Sequence, residues 1–154
     1  MGSVDEQLAD QLWRKAQHFI PDWREEWKAV GFSERLRFYR YDAAESFGAH
    51  YDGSISRGEN EVSKLPFMVY LNGECDGGEI KFYHPNCEFR FAVRPERGKA
   101  LVFDHARLHE GAPVVSGRKY VFRADVMYRR PHADYLGGKR DRIRHHILSH
   151  SRCG

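Results

Sequence analysis

His50-Tyr51-Asp52 is the first place in this chain where side chains could do chemistry beyond packing. In extended backbone, residues two apart point to the same side. The His50 imidazole and the Asp52 carboxylate can therefore converge on one ion. Neutral imidazole with a single carboxylate suits Fe(II), and a second histidine would complete a facial triad that leaves positions open for substrate and O2. The tripeptide alone is weak, because the chain holds nine histidines. The downstream candidates for the third ligand are His84, His105, His109, His132, His145, His146 and His150.

The residues after His109 favour it. A Pro113-Val114 step and Gly117 lead into a segment that opens with Lys119. Read as a strand, this segment puts Lys119, Val121, Arg123 and Asp125 on one face and Tyr120, Phe122, Ala124 and Val126 on the other. A cation pointing into an interior beside a metal is costly unless an anion meets it. A bound dicarboxylate would be that anion. The alternative pairs Lys119 or Arg123 with Asp125 in a structural ion pair.

The elements that must carry these residues are set by hydrophobic rhythm. Leu8, Ala9, Leu12, Ala16 and Phe19 fall near a 3.6 period and predict a helix over 5–20, stopped by Pro21. Pro21-Asp22 can start a second short helix through Trp27, closed by Gly31. Strands are expected over 35–41, where polar and apolar residues alternate, and over the apolar run 64–71. Further strands are expected over 79–83, 88–93, 99–103 and 119–128, with 73–78 as a turn. Helices first and about seven strands after them suggest an all-β sandwich or barrel with N-terminal helices packed outside. The mouth of such a barrel is a natural ligand site. Trp13, Trp23 and Trp27 are expected to pack the helices against it. The polar loop 54–63 reads equally as a substrate cover or a plain surface turn.

Composition narrows the functions. The 154 residues carry a net charge of +3 with histidine neutral, too little to imply nucleic acid. Cys75, Cys87 and Cys153 form an odd set without a CxxC, so neither a disulfide framework nor a cysteine zinc site is implied. That points to a reducing, cytoplasmic setting. No stretch reads as a signal peptide or a membrane span. The segment 131–154 is basic and histidine-rich and reads as a solvated tail. His84 is expected at the surface, and His105 at the surface or behind the ligands.

Taken together, His50-x-Asp52, His109 and Lys119 ten residues later resemble the Fe(II)/2-oxoglutarate dioxygenases of the prolyl 4-hydroxylase type. Leu36 to Tyr41, Phe47 to Gly53, Met68 to Asn72, Gly77 to Ile80 and Lys119 to Tyr128 extend the likeness over roughly residues 34–130. The resemblance implies a double-stranded β-helix (jelly-roll) core over 34–130, behind a helical support segment 1–33 and before the tail 131–154. It implies Fe(II) held by His50, Asp52 and His109, with 2-oxoglutarate chelating the iron and its far carboxylate on Lys119. Tyr41 is the first choice for a tyrosine that helps hold the cosubstrate and Tyr70 the second, with Arg123 a further candidate contact. It also implies O2 as oxidant, succinate and CO2 as coproducts, and ascorbate to keep the iron reduced. The substrate would be a prolyl or other side chain of a protein, or a small molecule. A non-catalytic peptide-binding or 2-oxoglutarate-sensing module on the same scaffold is the alternative. A zinc or manganese enzyme on a cupin-like barrel fits the donor set less well. One departure is that only about thirty residues precede Glu34, so the major sheet is expected to be thin on one side.

Overall fold

The structure is a computed structural model that describes residues 2–22 and 26–130. Trp23 and the tail 131–154, with His132, His145, His146, His150 and Cys153, lie outside the described residues. In chain order the elements are β1 (Gly2–Val4), α1 (Glu6–Ala16), one 3-10 turn (Gln17–Phe19), β2 (Lys28–Phe32), β3 (Arg35–Tyr41) and β4 (Phe47–His50). They continue with β5 (Ser56–Arg57), β6 (Glu61–Tyr70), β7 (Cys75–Gly77), β8 (Ile80–Tyr83), β9 (Phe89–Val93) and β10 (Ala100–Val102). The last are β11 (His109–Gly111), β12 (Val114–Gly117) and β13 (Lys119–Arg129).

Two sheets form the body, as expected for a jelly roll. The larger runs β1-β3-β13-β6-β10, and the smaller runs β4-β11-β8-β9. A ribbon of β12 and β7 joins the loops at one end. The long strand β13 organises the larger sheet. One edge pairs with β6 along most of its length. The other pairs first with β3, Lys119 opposite Tyr41, and then with β2, Val126 opposite Phe32.

The alternation of β13 divides the apolar residues into two cores. Phe122, Ala124, Val126 and Tyr128 pack outward with Leu36, Phe32 and Phe67 under the helix residues Leu8, Ala9, Leu12 and Trp13. Leu36 is fully buried there, which contributes about 2 kcal/mol. Val121 points the other way. It packs with Met68, Tyr70 and Leu101 of the larger sheet and Ile80 and Phe82 of the smaller. The helix is placed by its cap, because the Asp5 carboxylate accepts the Leu8 N–H at 2.8 Å. Trp13 stands edge-on to Phe32, with ring centres 5.4 Å apart.

Several expectations need correction. Among the described residues no second helix is formed; Lys28–Phe32 is a strand, and Gly31 lies within it, opposite Met127. Pairing with β13 decides this, against a local pattern that reads as helical. Segment 1–33 is therefore only partly helical and gives two strands to the larger sheet. The supposed turn at 73–78 contains β7, paired with β12. The loop 54–63 folds into a small hairpin of β5 on β6, where Arg57 pairs with Glu61 at 2.9 Å and with Glu34. Cys75 is a free thiol. Among the described residues, no helix is long and apolar enough to cross a membrane.

Candidate metal centre

Strand pairing brings the sequence-distant histidines together. His50 ends β4 and His109 begins β11, and the two are direct partners in the antiparallel ladder. Their ring centres are 4.3 Å apart. Asp52 lies just past β4, and its backbone N–H is held by the His105 carbonyl at 3.1 Å. One donor atom from each of His50, Asp52 and His109 lies within 4.8 Å of the others.

The imidazoles are oriented by their own backbone. His50 Nδ1 lies 2.8 Å from the Gly48 carbonyl, and His109 Nδ1 lies 2.9 Å from the Arg107 carbonyl. A carbonyl only accepts, so each Nδ1 carries the proton and each Nε2 presents a lone pair. Both Nε2 atoms face Asp52: His50 Nε2 is 3.5 Å from Oδ1 and His109 Nε2 is 3.7 Å from Oδ2. Asp52 Oδ2 is buried without a hydrogen-bond partner. A buried carboxylate oxygen left in this way is an unmet cost that a cation would offset.

The protonation states suit a cation. Burial alone would raise the Asp52 pKa. The contact with His50, the charge and hydrogen bond of Arg123, and the nearby His109 outweigh it and hold the carboxyl well below the usual range. Burial pushes His109 downward, against the opposing pull of the Arg107 carbonyl and Asp52, so its neutral ligand form is favoured.

Lys119 occupies the inner part of the same cavity, which is also lined by Tyr39, Tyr41, His50, His109 and Arg123. Its side chain is 1% exposed. Nζ donates to the Gly78 carbonyl at 3.0 Å and sits 4.3 Å from the centre of the Tyr41 ring. No ion-pair partner meets it among the described residues. Desolvation pushes its pKa down, partly opposed by Cys75 and Glu79. Gly78 makes room for this side chain: its φ is +70, and an added Cβ would come within 3.1 Å of Lys119 Cδ.

The remaining candidates divide. Tyr41 lines the cavity, and burial raises its pKa, so the hydroxyl keeps its proton to donate. Tyr70 is fully buried in the core, and its hydroxyl donates to the Val93 carbonyl at 3.1 Å. The structure does not bring Tyr70 to the cavity. Arg123 lines the cavity but is engaged: Nη2 lies 2.7 Å from Asp52 Oδ1 and 3.8 Å from Asp125 Oδ1. Tyr39, missed in the sequence, lines the cavity beside Tyr41, and the alternation of β3 could have found it. His105 is buried against Asp125 rather than at the surface, and His84 is exposed.

Comparison with known proteins adds an independent line. Residues 36–124 match the family model of the 2OG-Fe(II) oxygenase superfamily. A PKHD-type hydroxylase of Paracoccus denitrificans (strain Pd 1222) is 33% identical over 101 residues, which cover 60% of this chain and 43% of the relative. The chain thus spans less than half of that relative's length. The viral collagen prolyl hydroxylase of Paramecium Bursaria Chlorella virus-1, solved in complex with 2OG, aligns with a TM-score of 0.58 at 20% identity. That alignment covers 82% of this chain and 75% of the viral protein. A Pseudomonas putida prolyl-4-hydroxylase aligns with a TM-score of 0.51 at 21% identity, covering 79% and 63%.

Proposed function

The chain belongs to the 2OG-Fe(II) oxygenase superfamily, and on that premise we propose that it hydroxylates a substrate C–H bond at Fe(II), consuming 2-oxoglutarate and O2. One juxtaposition carries this reading. A buried carboxylate with one partnerless oxygen, flanked by the Nε2 atoms of two histidines that line the cavity, lies beside a buried ammonium that has no counter-ion among the described residues. The first feature suits a divalent cation, and the second suits the far end of a dicarboxylate.

Bound there, Fe(II) with 2-oxoglutarate and O2 supplies the oxidising power for C–H hydroxylation, with succinate and CO2 as coproducts. The protein's own residues perform the placement. His50, Asp52 and His109 hold the ion. Lys119 and the Tyr41 hydroxyl take the far carboxylate. The apolar walls of Met68, Ile80, Phe103 and Val121 exclude water. Phe47 lines the cavity edge-on to His50, with ring centres 4.3 Å apart, and is 52% exposed, leaving an aromatic rim at the mouth. That rim suits an apolar ring, and we assign a prolyl side chain of a peptide as the substrate class. The names of the viral and Pseudomonas proteins, a collagen prolyl hydroxylase and a prolyl-4-hydroxylase, support the same choice. Ascorbate would serve to keep the iron reduced.

Succinate formation tests the activity. Protein loaded anaerobically with Fe(II) and 2-oxoglutarate, then exposed to air with proline-rich peptides, should yield succinate and a +16 Da peptide. Metal-loaded wild type that gives no succinate above background contradicts the proposal.

A further inference from the structure

We propose that Arg123 is a positioning residue that holds Asp52 by one oxygen and leaves the other for the metal, and that Asp125 anchors Arg123 in turn. The inference rests on the reading of Asp52 as an iron ligand and goes beyond it by assigning how that ligand is held.

The two Asp52 oxygens have different surroundings. Oδ1 takes Arg123 Nη2 at 2.7 Å and lies 3.5 Å from His50 Nε2. Oδ2 is buried, has no hydrogen-bond partner, and lies 3.7 Å from His109 Nε2. An arginine in a protein keeps its charge, so Oδ1 is occupied at any working pH. The carboxylate is thereby biased towards binding an ion through one oxygen only.

The coordination count gives this bias a use. An octahedral ion offers six positions, and three protein donors leave three. A keto acid that chelates takes two, and the last is for O2. A carboxylate that chelates through both oxygens would consume that last position. Holding Oδ1 on a guanidinium disfavours this.

Arg123 is itself held from behind. Asp125 is 2% exposed and lies two residues further on the same face of β13. Its Oδ1 is 3.8 Å from Arg123 Nη2, and its Oδ2 pairs with Arg37 on the neighbouring strand β3. Ser33 secures it through the backbone, with its N–H on the Asp125 carbonyl at 2.8 Å and its Oγ accepting the Asp125 N–H at 3.3 Å. His105 stands 3.5 Å from Asp125 Oδ1, and its carbonyl accepts the Asp52 N–H. Asp52, Arg123, Asp125 and Arg37 thus form a partly buried chain of alternating charge that sums to zero. Such chains add little to stability when compared with apolar packing, so geometric control is the better account of this one. Lys119 lies four residues back on the same strand, about 13 Å at 3.3 Å per residue. The two cations therefore have separable tasks: one orients a ligand, and the other meets the cosubstrate.

The test uses the whole chain with Mn(II) as a redox-inert stand-in for iron. Mn(II) affinity is read from the free-ion resonance signal, and 2-oxoglutarate affinity is read calorimetrically at saturating Mn(II). For Arg123→Gln the expected result is Mn(II) binding weakened about 10- to 100-fold, the scale seen when a metal ligand loses its outer partner. Cosubstrate affinity at saturating metal should stay within about threefold of wild type, on the same argument. Arg123→Lys keeps the charge but offers a single point donor, so its Mn(II) affinity should fall between the two. It also guards against a Gln variant that does not fold. Unchanged Mn(II) affinity in both variants, or a tenfold loss of cosubstrate affinity with metal binding intact, overturns the proposal; the second result assigns Arg123 to the cosubstrate. A wild type that binds Mn(II) yet never turns over 2-oxoglutarate would sink the oxygenase reading while leaving this assignment to be decided by the metal measurements.

Discussion

Replacing Lys119 by Met removes one charge from the cavity and keeps most of its volume. The structure supports two opposite effects. Towards 2-oxoglutarate, the variant loses a buried ammonium whose only direct acceptor among the described residues is the Gly78 carbonyl at 3.0 Å. Truncating one partner of a buried, hydrogen-bonded charge pair costs about 2–5 kcal/mol. Taking about 3 kcal/mol, because the Tyr41 hydroxyl remains as a donor, the affinity falls roughly 10²-fold. Towards folding, the variant loses a charge that is 1% exposed and has no ion-pair partner among the described residues. The metal-free Lys119→Met protein should therefore melt no lower than wild type. Calorimetric titration of 2-oxoglutarate into Mn(II)-saturated protein, with thermal unfolding of the metal-free forms, measures both. Cosubstrate affinity within threefold of wild type would refute the role of Lys119. A large drop in melting temperature would refute the account of it as an unpaired buried charge.

The same geometry predicts three further outcomes. His109→Ala should abolish stoichiometric Mn(II) binding while His105→Ala retains it, read from the free-ion signal; the reverse would move the third ligand. Tyr70→Phe removes a hydroxyl that donates to the Val93 carbonyl, at about 1 kcal/mol. That should lower the melting temperature by roughly 2–4 °C and leave 2-oxoglutarate affinity unchanged, and a cosubstrate effect would bring Tyr70 back to the site. The Asp52 pKa is depressed in the folded protein, so its contribution is present above the unfolded value of about 4 and is lost as pH falls towards the folded one. In urea unfolding of the metal-free forms, Asp52→Asn should be less stable than wild type at pH 7. The gap should narrow below about pH 4, and a gap that widens on acidification contradicts the assignment.

How far the sequence disclosed this molecule depended on how local each feature is. β3 was legible to its ends, because strict alternation from Arg35 to Tyr41 has one physical meaning. The convergence of His50 and Asp52 was legible for the same reason, since a two-residue spacing fixes a shared side. β1, β7, β11 and β12 were not, because each is three or four residues long and exists only through its partner. Gly2–Val4 has no strand signal of its own and is made by pairing with Arg35 to Arg37. β2 was missed as a strand because its identity lies in β13, about a hundred residues away. The same limit governs the site. Lys119 stood out as a cation on an inward face, whereas the Arg123 contact to Asp52 joins residues far apart in the chain and has no local signature. Tyr41 and Tyr70 looked alike as aromatic strand residues, and only the packing separates them into cavity and core.

We propose that one cavity holds a divalent ion on His50, Asp52 and His109 and a dicarboxylate on Lys119. An anomalous difference map from crystals grown with Mn(II) and 2-oxoglutarate tests it most directly. The account predicts one strong peak bonded to both Nε2 atoms and to a single Asp52 oxygen, with the far carboxylate of 2-oxoglutarate against Lys119 Nζ. A metal peak away from these three residues, or a cosubstrate carboxylate that leaves Lys119 unpaired, would contradict it.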